Sequence, residues 1–396
     1  YTSSEEGEMS PAAAPLDDEN LLSEILLRLP PLPSTLPRAS LVCKRWRLLV
    51  SDILFFRRFR EHHRHSPPLL GCFVEGDRCV SYTPTMDSPD RIPGERLSLQ
   101  LIETCHSSVL GCRHGLVLIS PDSRNHVLVW DPVTGDQHHI AFPPGFVGVA
   151  NSIHGAVLRA AGEARHFQVI LVGVGGEDKQ HMRLLARVYS SEKGAWGPLI
   201  SPLVPFEGYT TKGIFSMYVF GLSSVLVGNS LYWCLGGRSD AILEFDLERQ
   251  SLAVIRVPPC LSKVDLLQFA VMRAEGGGLG LLSILGFTAQ LWKRKTGFDG
   301  VASWGVATTI ELDKLLSLNP EKERVQPLIE GLAEYNNVVL LTTGGDAVIM
   351  LQLESLQFKK FYETPNAFYH HQFESVYSAG TSIGGGHDGA EFLHST

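Results

Sequence analysis

The period of the apolar positions changes once along the chain, near residue 66. Before that point apolar residues recur at steps of three and four. Leu21, Leu22, Ile25, Leu26 and Leu29 fall on one face of a predicted helix, with Asp17, Asp18 and Glu19 at the end where the helix dipole favours negative charge. Pro30, Pro31 and Pro33 stop it, because proline lacks the N–H a helix needs. Pro37 suits the first turn of a second helix, whose stripe is Ala39, Val42, Cys43, Trp46, Leu49, Val50 and Ile53. Ser51 or Asp52 can cap a third helix carrying Leu54, Phe55, Phe56 and Phe59.

From Leu69 the period becomes two. Runs such as Leu116 to Ile119, Val127 to Trp130, Gln168 to Val172, Ala241 to Phe245, Leu252 to Val257 and Val338 to Leu341 are rich in β-branched and aromatic residues. Gly, Pro, Asn or Asp bounds each of them, which reads as a series of short strands. Strand-turn-strand units recur at about 50 to 60 residues, the spacing of one propeller blade. They begin at Phe73, at Val129-Trp130-Asp131, at Val188-Tyr189-Ser190, at Glu244-Phe245-Asp246, at Leu291-Trp292 and at Leu351. Six units imply six blades, or seven with one unmarked. A pair of β-sandwiches of about seven strands each is the rival reading, and the regular spacing favours the propeller. One helical insertion is expected near Leu312 to Leu316. The fold class is thus multidomain, α followed by all-β. Its segments are a disordered 1–15, a three-helix domain over 16–65, a β-propeller over 66–378 and a Gly-rich disordered tail over 379–396.

Charge separates the same two parts. Residues 16–65 carry nine Lys or Arg against six Asp or Glu, and residues from 66 onward carry 25 against 33. An acidic body argues against nucleic-acid binding, which depends on clustered cations. Apolar stretches such as Leu279 to Trp292 are too short and broken to span a bilayer, and residues 1–15 lack the pattern of a secretory signal. The first residue is Tyr1 rather than Met, so a true start upstream is compatible with the sequence. Seven cysteines and the lack of an Asn-x-Ser/Thr acceptor favour a reducing compartment, the cytoplasm or nucleus, with the cysteines as thiols.

No catalytic or cofactor motif stands out. His62, His63 and His65 among Arg57, Arg58, Arg60 and Arg64 read as a solvated helix face rather than a metal site. Cys72, Cys79, Cys105, Cys112 and His114 are too far apart in sequence for a zinc knuckle and read as buried small hydrophobes. Gly276-Gly277-Gly278-Leu279-Gly280 lacks the Lys-Ser/Thr of a phosphate loop and reads as a turn. No Gly-x-Ser-x-Gly elbow or His-Glu-x-x-His helix is present. The expectation is therefore no enzyme, no cofactor and no metal.

The run Leu21-Leu22-Ser23-Glu24-Ile25-Leu26-Leu27-Arg28-Leu29-Pro30, followed by Leu41-Val42-Cys43-Lys44-Arg45-Trp46, resembles the F-box. Val227-Gly228-Asn229-Ser230-Leu231-Tyr232-Trp233 and Ile242 to Leu247 are similar to the associated β-propeller of plant F-box proteins, grass ones in particular. The resemblance implies a substrate receptor of an SCF-type ubiquitin ligase. Its F-box would bind a Skp-family adaptor and through it a cullin, and its propeller would capture a target. The implied adaptor-binding residues are Leu16, Leu21, Leu22, Ile25, Leu26, Leu29, Pro30, Leu36, Val42, Cys43, Lys44, Trp46 and Leu49. Trp46 would be the anchor, and Lys44, Arg45 and Arg47 would form a basic rim. The alternatives are a non-ligase scaffold and a propeller that senses a small ligand or glycan. The physics points the same way, since three short helices cannot bury all their apolar surface alone. Target contacts are expected in Pro143 to Asn151, Pro205 to Lys212, Arg238 to Asp240 and Thr343 to Asp346.

Overall fold

The structure is a computed structural model. It describes residues 18–75, 80–99, 107–121, 125–143, 146, 153–159, 166–175, 183–201, 223–235, 241–261, 268–297, 300–319, 326–343, 347–363 and 369–377. Leu16 and the two expected tails lie outside them. The chain forms two compact units, one of residues 66–375 and one in which 1–65 and 376–396 belong together. The propeller is expected to run to residue 378, and within the described residues Val376 packs in the core of the helical unit.

The helical unit has four helices rather than three: α1 (Glu19–Leu27), α2 (Thr35–Ser40), α3 (Lys44–Ser51) and α4 (Ile53–His62). The Asp18 carboxylate accepts from the N–H groups of Asn20 and Leu21 and caps α1. Asp52 caps α4 in the same way through Leu54 and Phe55. The stripe from Ala39 to Ile53, expected as one helix, turns at Leu41 to Cys43. A straight helix would hold Ala39 and Val50 about 16 Å apart. The turn instead brings both into one cluster with Leu22, Leu26, Leu36, Phe55, Phe56 and Phe59. Packing decides here, since no glycine or proline marks the bend.

The larger unit is a six-bladed β-propeller. Blade 1 is composite: β1 (Leu69–Glu75) pairs with β2 (Val80–Pro84) on one side and with the last strand, β23 (Tyr369–Glu374), on the other. Blade 2 is β3 (Ser107–Arg113), β4 (Leu116–Pro121), β5 (His126–Trp130) and β6 (Gln137–Ala141). Blade 3 is β7 (His154–Arg159), β8 (Phe167–Gly175), β9 (Arg183–Ser190) and β10 (Ala195–Trp196). Blade 4 is β11 (Val225–Val227), β12 (Ser230–Cys234), β13 (Ala241–Asp246) and β14 (Ser251–Arg256). Blade 5 is β15 (Phe269–Arg273), β16 (Leu279–Leu285), β17 (Thr288–Thr296) and β18 (Ala302–Glu311), followed by the short helix α5 (Leu312–Leu315). Blade 6 is β19 (Leu328–Ala333), β20 (Val338–Thr342), β21 (Ala347–Gln352) and β22 (Phe358–Glu363).

The inner strands β23, β3, β7, β11, β15 and β19 surround the axis. The core lies between blades, so alternate residues of one strand serve different neighbours. Val169 packs toward blade 2 while Ile170 packs toward blade 4. Val271 packs toward blade 4 while Ala270 and Met272 pack toward blade 6. Phe73 meets Trp130 of blade 2 at 5.4 Å between ring centroids. Pairing of β23 with β1 closes the ring.

The repeat seen in the sequence is a turn between the third and fourth strands. Asp131, Ser190, Asp246 and Gln352 each accept from the N–H three residues on, and each turn ends four residues on at positive φ. Glycine fills that position at Gly135 and Gly194, but Gln250 and Leu356 occupy it in blades 4 and 6. The first unit of the sequence repeat, at Phe73, is out of register with the others. It falls on the second strand of blade 1, because the first strand of that blade comes from the other end of the chain.

Candidate functional site

The helical unit keeps a full core and still exposes large apolar side chains. Of the fifteen exposed large hydrophobics among the described residues, eight belong to it. Leu21 and Ile25 lie one turn apart on the outer face of α1. Leu41 and Val42, in the turn between α2 and α3, are 75% and 61% exposed, and Leu48 on α3 is 66% exposed. Ile53 and Leu54 are exposed at the start of α4. Leaving these in water costs roughly 25 cal/mol for each Å² of apolar area, which a protein partner would recover. Lys44 and Arg47 are exposed on the same helix as Leu48. Arg58 donates to Glu24 Oε1 (2.8 Å) and Ser23 Oγ (3.2 Å), tying α4 to α1.

The propeller does the reverse and buries charge around its axis. Arg113, at the end of β3, donates through Nη2 to Glu334 Oε2 at 2.6 Å and through Nη1 to Ser224 Oγ at 3.0 Å. One side chain of blade 2 thus reaches blades 6 and 4. Burial works against its charge, and Glu334 beside it more than offsets that, so its proton is held more tightly than usual. Arg273 lies 5.0 Å above the Tyr335 ring, a cation–π contact that brings in blade 5. Tyr335 Oη is 3.3 Å from His114 Nε2. His114 Nδ1 accepts from the Arg159 N–H, so Nε2 carries the imidazole proton and donates to Tyr335.

Glu374, at the end of the closing strand, accepts from the backbone N–H groups of Glu334, Tyr335 and Asn336 and from the Asn336 side-chain amide. Burial raises its pKa to about 7, against the pull of these donors. Asn336 also donates to the Pro67 carbonyl ahead of β1. A carboxylate of β23 therefore holds the β19–β20 turn, and that turn holds the start of β1. Higher on the same strand, His371 Nε2 is 3.1 Å from Glu75 Oε1 and its Nδ1 is 3.3 Å from Ser223 Oγ. Gly331 is needed where β19 passes β23, since a Cβ there would come within 2.8 Å of the His370 carbonyl oxygen. The axial space among Cys112, Ser224, Glu334, Gln372 and Glu374 is about 30 Å³, room for about two waters and too small for an organic ligand.

Comparison with known families accounts for both units. Residues 108–377 match the family model described as F-box protein AT5G49610-like, beta-propeller, which covers more than half of the chain. The chain belongs to that family of F-box proteins. Residues 19–62 match the F-box-like model, so the four helices are the F-box itself. No curated protein matches the chain. Solved structures that do match include apo AztD from Citrobacter koseri, at 11% identity over 76% of this chain and 96% of that one, with a TM-score of 0.38. A likeness that distant bears on neither fold nor function.

The thirteen residues expected to face an adaptor divide three ways in this F-box. Leu22, Leu26 and Leu36 are enclosed in its own core, and Leu29, Trp46 and Leu49 pack half-buried against that core. Trp46 therefore sits half-buried at the edge of that core. Leu21, Ile25, Pro30, Val42, Cys43 and Lys44 are exposed, and Leu16 lies outside the described residues. Leu32, Leu41, Leu48, Ile53 and Leu54 are exposed and were not among the thirteen. Of these only Leu48 carried a signal in the helical periodicity, because it falls off the Trp46, Leu49, Val50 stripe.

His63 also differs from expectation. It packs edge-to-face on Phe59 at 4.6 Å and bonds the Leu27 carbonyl through Nε2 at 2.9 Å, rather than facing solvent, and burial lowers its pKa. Cys72 and Cys234 are buried thiols whose pKa burial raises, whereas Cys79 and Cys105 lie outside the described residues. No group of three or more metal-ligating side chains occurs among the described residues. Of the segments expected to touch a target, only Pro143, Phe146 and Thr343 are described, and Phe146 is buried.

Proposed function

We propose that this protein is the substrate-recognition subunit of an SCF-type ubiquitin ligase, with the F-box docked on a Skp-family adaptor and the propeller holding a target. The observation that carries the reading is the exposed apolar set Leu21, Ile25, Leu41, Val42 and Leu48 on a helical unit whose own core is already complete. A surface of that kind is stable in water only at a cost that a partner removes. Lys44 and Arg47 flank it and favour an acidic partner.

The mechanism is proximity. The F-box fixes the chain to adaptor and cullin, the propeller raises the local concentration of target lysines, and other subunits transfer ubiquitin. This chain performs no bond chemistry, and the reading places it in the cytoplasm or nucleus. The ionisable groups at the propeller axis favour this over catalysis, since Arg113, Glu334 and Glu374 are occupied in holding blades 1, 2, 4 and 6 together. The test is copurification of the full chain from cells with a Skp-family adaptor and a cullin. Recovery of both supports the reading, and a folded chain that recovers neither overturns it.

A further inference from the structure

The outer edges of the blades are not alike. β10 is two residues long, β22 carries Lys359 and Lys360, β14 ends on Arg256, and β6 carries His138 and His139. Shortness and ionisable side chains are ordinary ways of keeping a free strand edge from pairing with another chain. β18 has ten residues, and its only ionisable side chain is the terminal Glu311. Side chains on both of its faces are exposed, with Val306 at 47% and the preceding Val301 at 63%. The register passes from Trp292↔Val306 to Leu291↔Thr308, so a bulge at Ala307 interrupts the edge. Ala302 to Val306 remain as an unbroken stretch of five residues, an ordinary strand length.

The two faces of that stretch differ in chemistry. Directly opposed residues in a sheet share a face. Lys295 stands opposite Ser303, and Lys293 stands opposite Gly305. Ser303 is short, and a Cβ at Gly305 would meet nothing within 4 Å, so neither residue screens the lysines from the free edge. Lys293 leans on the Glu275 carbonyl oxygen at 2.8 Å, and Lys295 is exposed. The other face carries Trp304 and Val306, with Arg294 and Trp292 opposite them. The Trp304 indole donates to the Arg256 carbonyl at 2.9 Å and packs half-buried against the core, which leaves Val306 as the exposed apolar side chain. An added strand would lie two strand spacings, about 9.6 Å, from β17, within joint reach of a lysine and a glutamate side chain.

We propose that Ala302 to Val306 is a docking edge to which an extended acidic segment of a target adds as a fifth strand of blade 5. Its carboxylates face Lys293 and Lys295, and its apolar side chains face Trp304 and Val306. The proposal rests on the target-receptor reading above and names the class of target. The surrounding body is acidic, so Lys293-Arg294-Lys295 is a local attraction for negative charge. A second copy of this chain is the poorer occupant, because it would bring a second Lys-Arg-Lys run to the same seam.

The experiment titrates the full chain into a fluorescein-labelled octapeptide that alternates valine with glutamate, read by anisotropy. Saturable binding is expected, about tenfold weaker for the Lys293→Glu/Lys295→Glu variant, with unchanged melting as the folding control. Two N-methylated peptides complete it, one methylated on every valine and one on every glutamate. Alternate N–H groups of an added strand face the edge, so one isomer should bind and the other should not. No binding of the parent peptide, equal binding of both isomers, or an unaffected lysine variant overturns the proposal. If it fails while the same chain still holds an adaptor and delivers a target, the docking edge falls alone. If adaptor binding also fails, the receptor reading falls with it.

Discussion

The F-box leaves leucine and valine in water while the propeller hides arginine, glutamate and histidine. Each inverts the usual placement, for opposite reasons. A helical unit of this size encloses only a small core, and Leu41, Val42 and Leu48 lie beyond it. The propeller has apolar core to spare between its blades, and its ring must be closed by strands from opposite ends of the chain. Buried polar groups with fixed partners suit that task, because an unmatched donor or acceptor makes any other pairing costly. On the proposed function the exposed apolar groups in one unit are where a partner would bind, whereas the buried charge in the other locks the fold.

The contrast can be broken most strongly at Glu374. Replacing it with alanine orphans three backbone donors and the Asn336 amide, so the propeller should lose about 3 to 5 kcal/mol. The transition of the F-box should not move. Calorimetry that resolves two unfolding transitions checks this, and equal shifts in both would show that the lock is not confined to the propeller.

Acid should act next. Burial of His154 on β7 lowers its pKa from 6.5 to about 4, so the unfolded chain takes up a proton in that interval and the folded chain does not. Stability from this group is complete above pH 6.5 and is lost as pH falls toward 4, by at most about 3 kcal/mol. Urea denaturation at pH 7 and pH 4.5 should show His154→Gln losing less stability on acidification than the parent, whereas parallel losses would exclude His154 as a source.

A smaller effect is expected where the C-terminal residues join the helical unit. Val376→Ala should cost the F-box about 2 kcal/mol by removing buried methyls, and should leave the propeller transition in place. Proteolysis within residues 19–62 at moderate temperature would report it.

The two patterns were legible in the sequence to different degrees. Helical spacing located the F-box core, and six strand-turn-strand units implied six blades with a seventh left open, although only four of the units carry the turn that begins at Asp131, Ser190, Asp246 and Gln352. The bend at Leu41 to Cys43 was not legible, since those residues suit a helix and only packing of Ala39 and Val50 into one cluster requires the turn. Closure of blade 1 was hidden because β1 and β23 pair across nearly the whole propeller sequence. The buried polar axis was hidden for another reason. Arg113, Glu334 and Glu374 stand at strand ends, where a charged residue ordinarily faces water, and only their convergence from separate blades shows otherwise. In the F-box the sequence identified the helices, and Leu41 and Leu48 are more exposed than the half-buried Trp46.

The central claim is that the exposed apolar side chains of the F-box are a docking surface rather than a tolerated cost. Ile25→Asp with Val42→Asp changes two exposed positions and should alter stability by no more than about 0.5 kcal/mol. The most direct measurement is the affinity of a purified Skp-family adaptor for the full chain with and without this pair of substitutions, each checked by thermal melting. The account predicts tight binding by the parent and a loss of more than about 100-fold in the variant, in line with the cost of burying two unpaired carboxylates. Equal binding by both, or no binding by a well-folded parent, would contradict it.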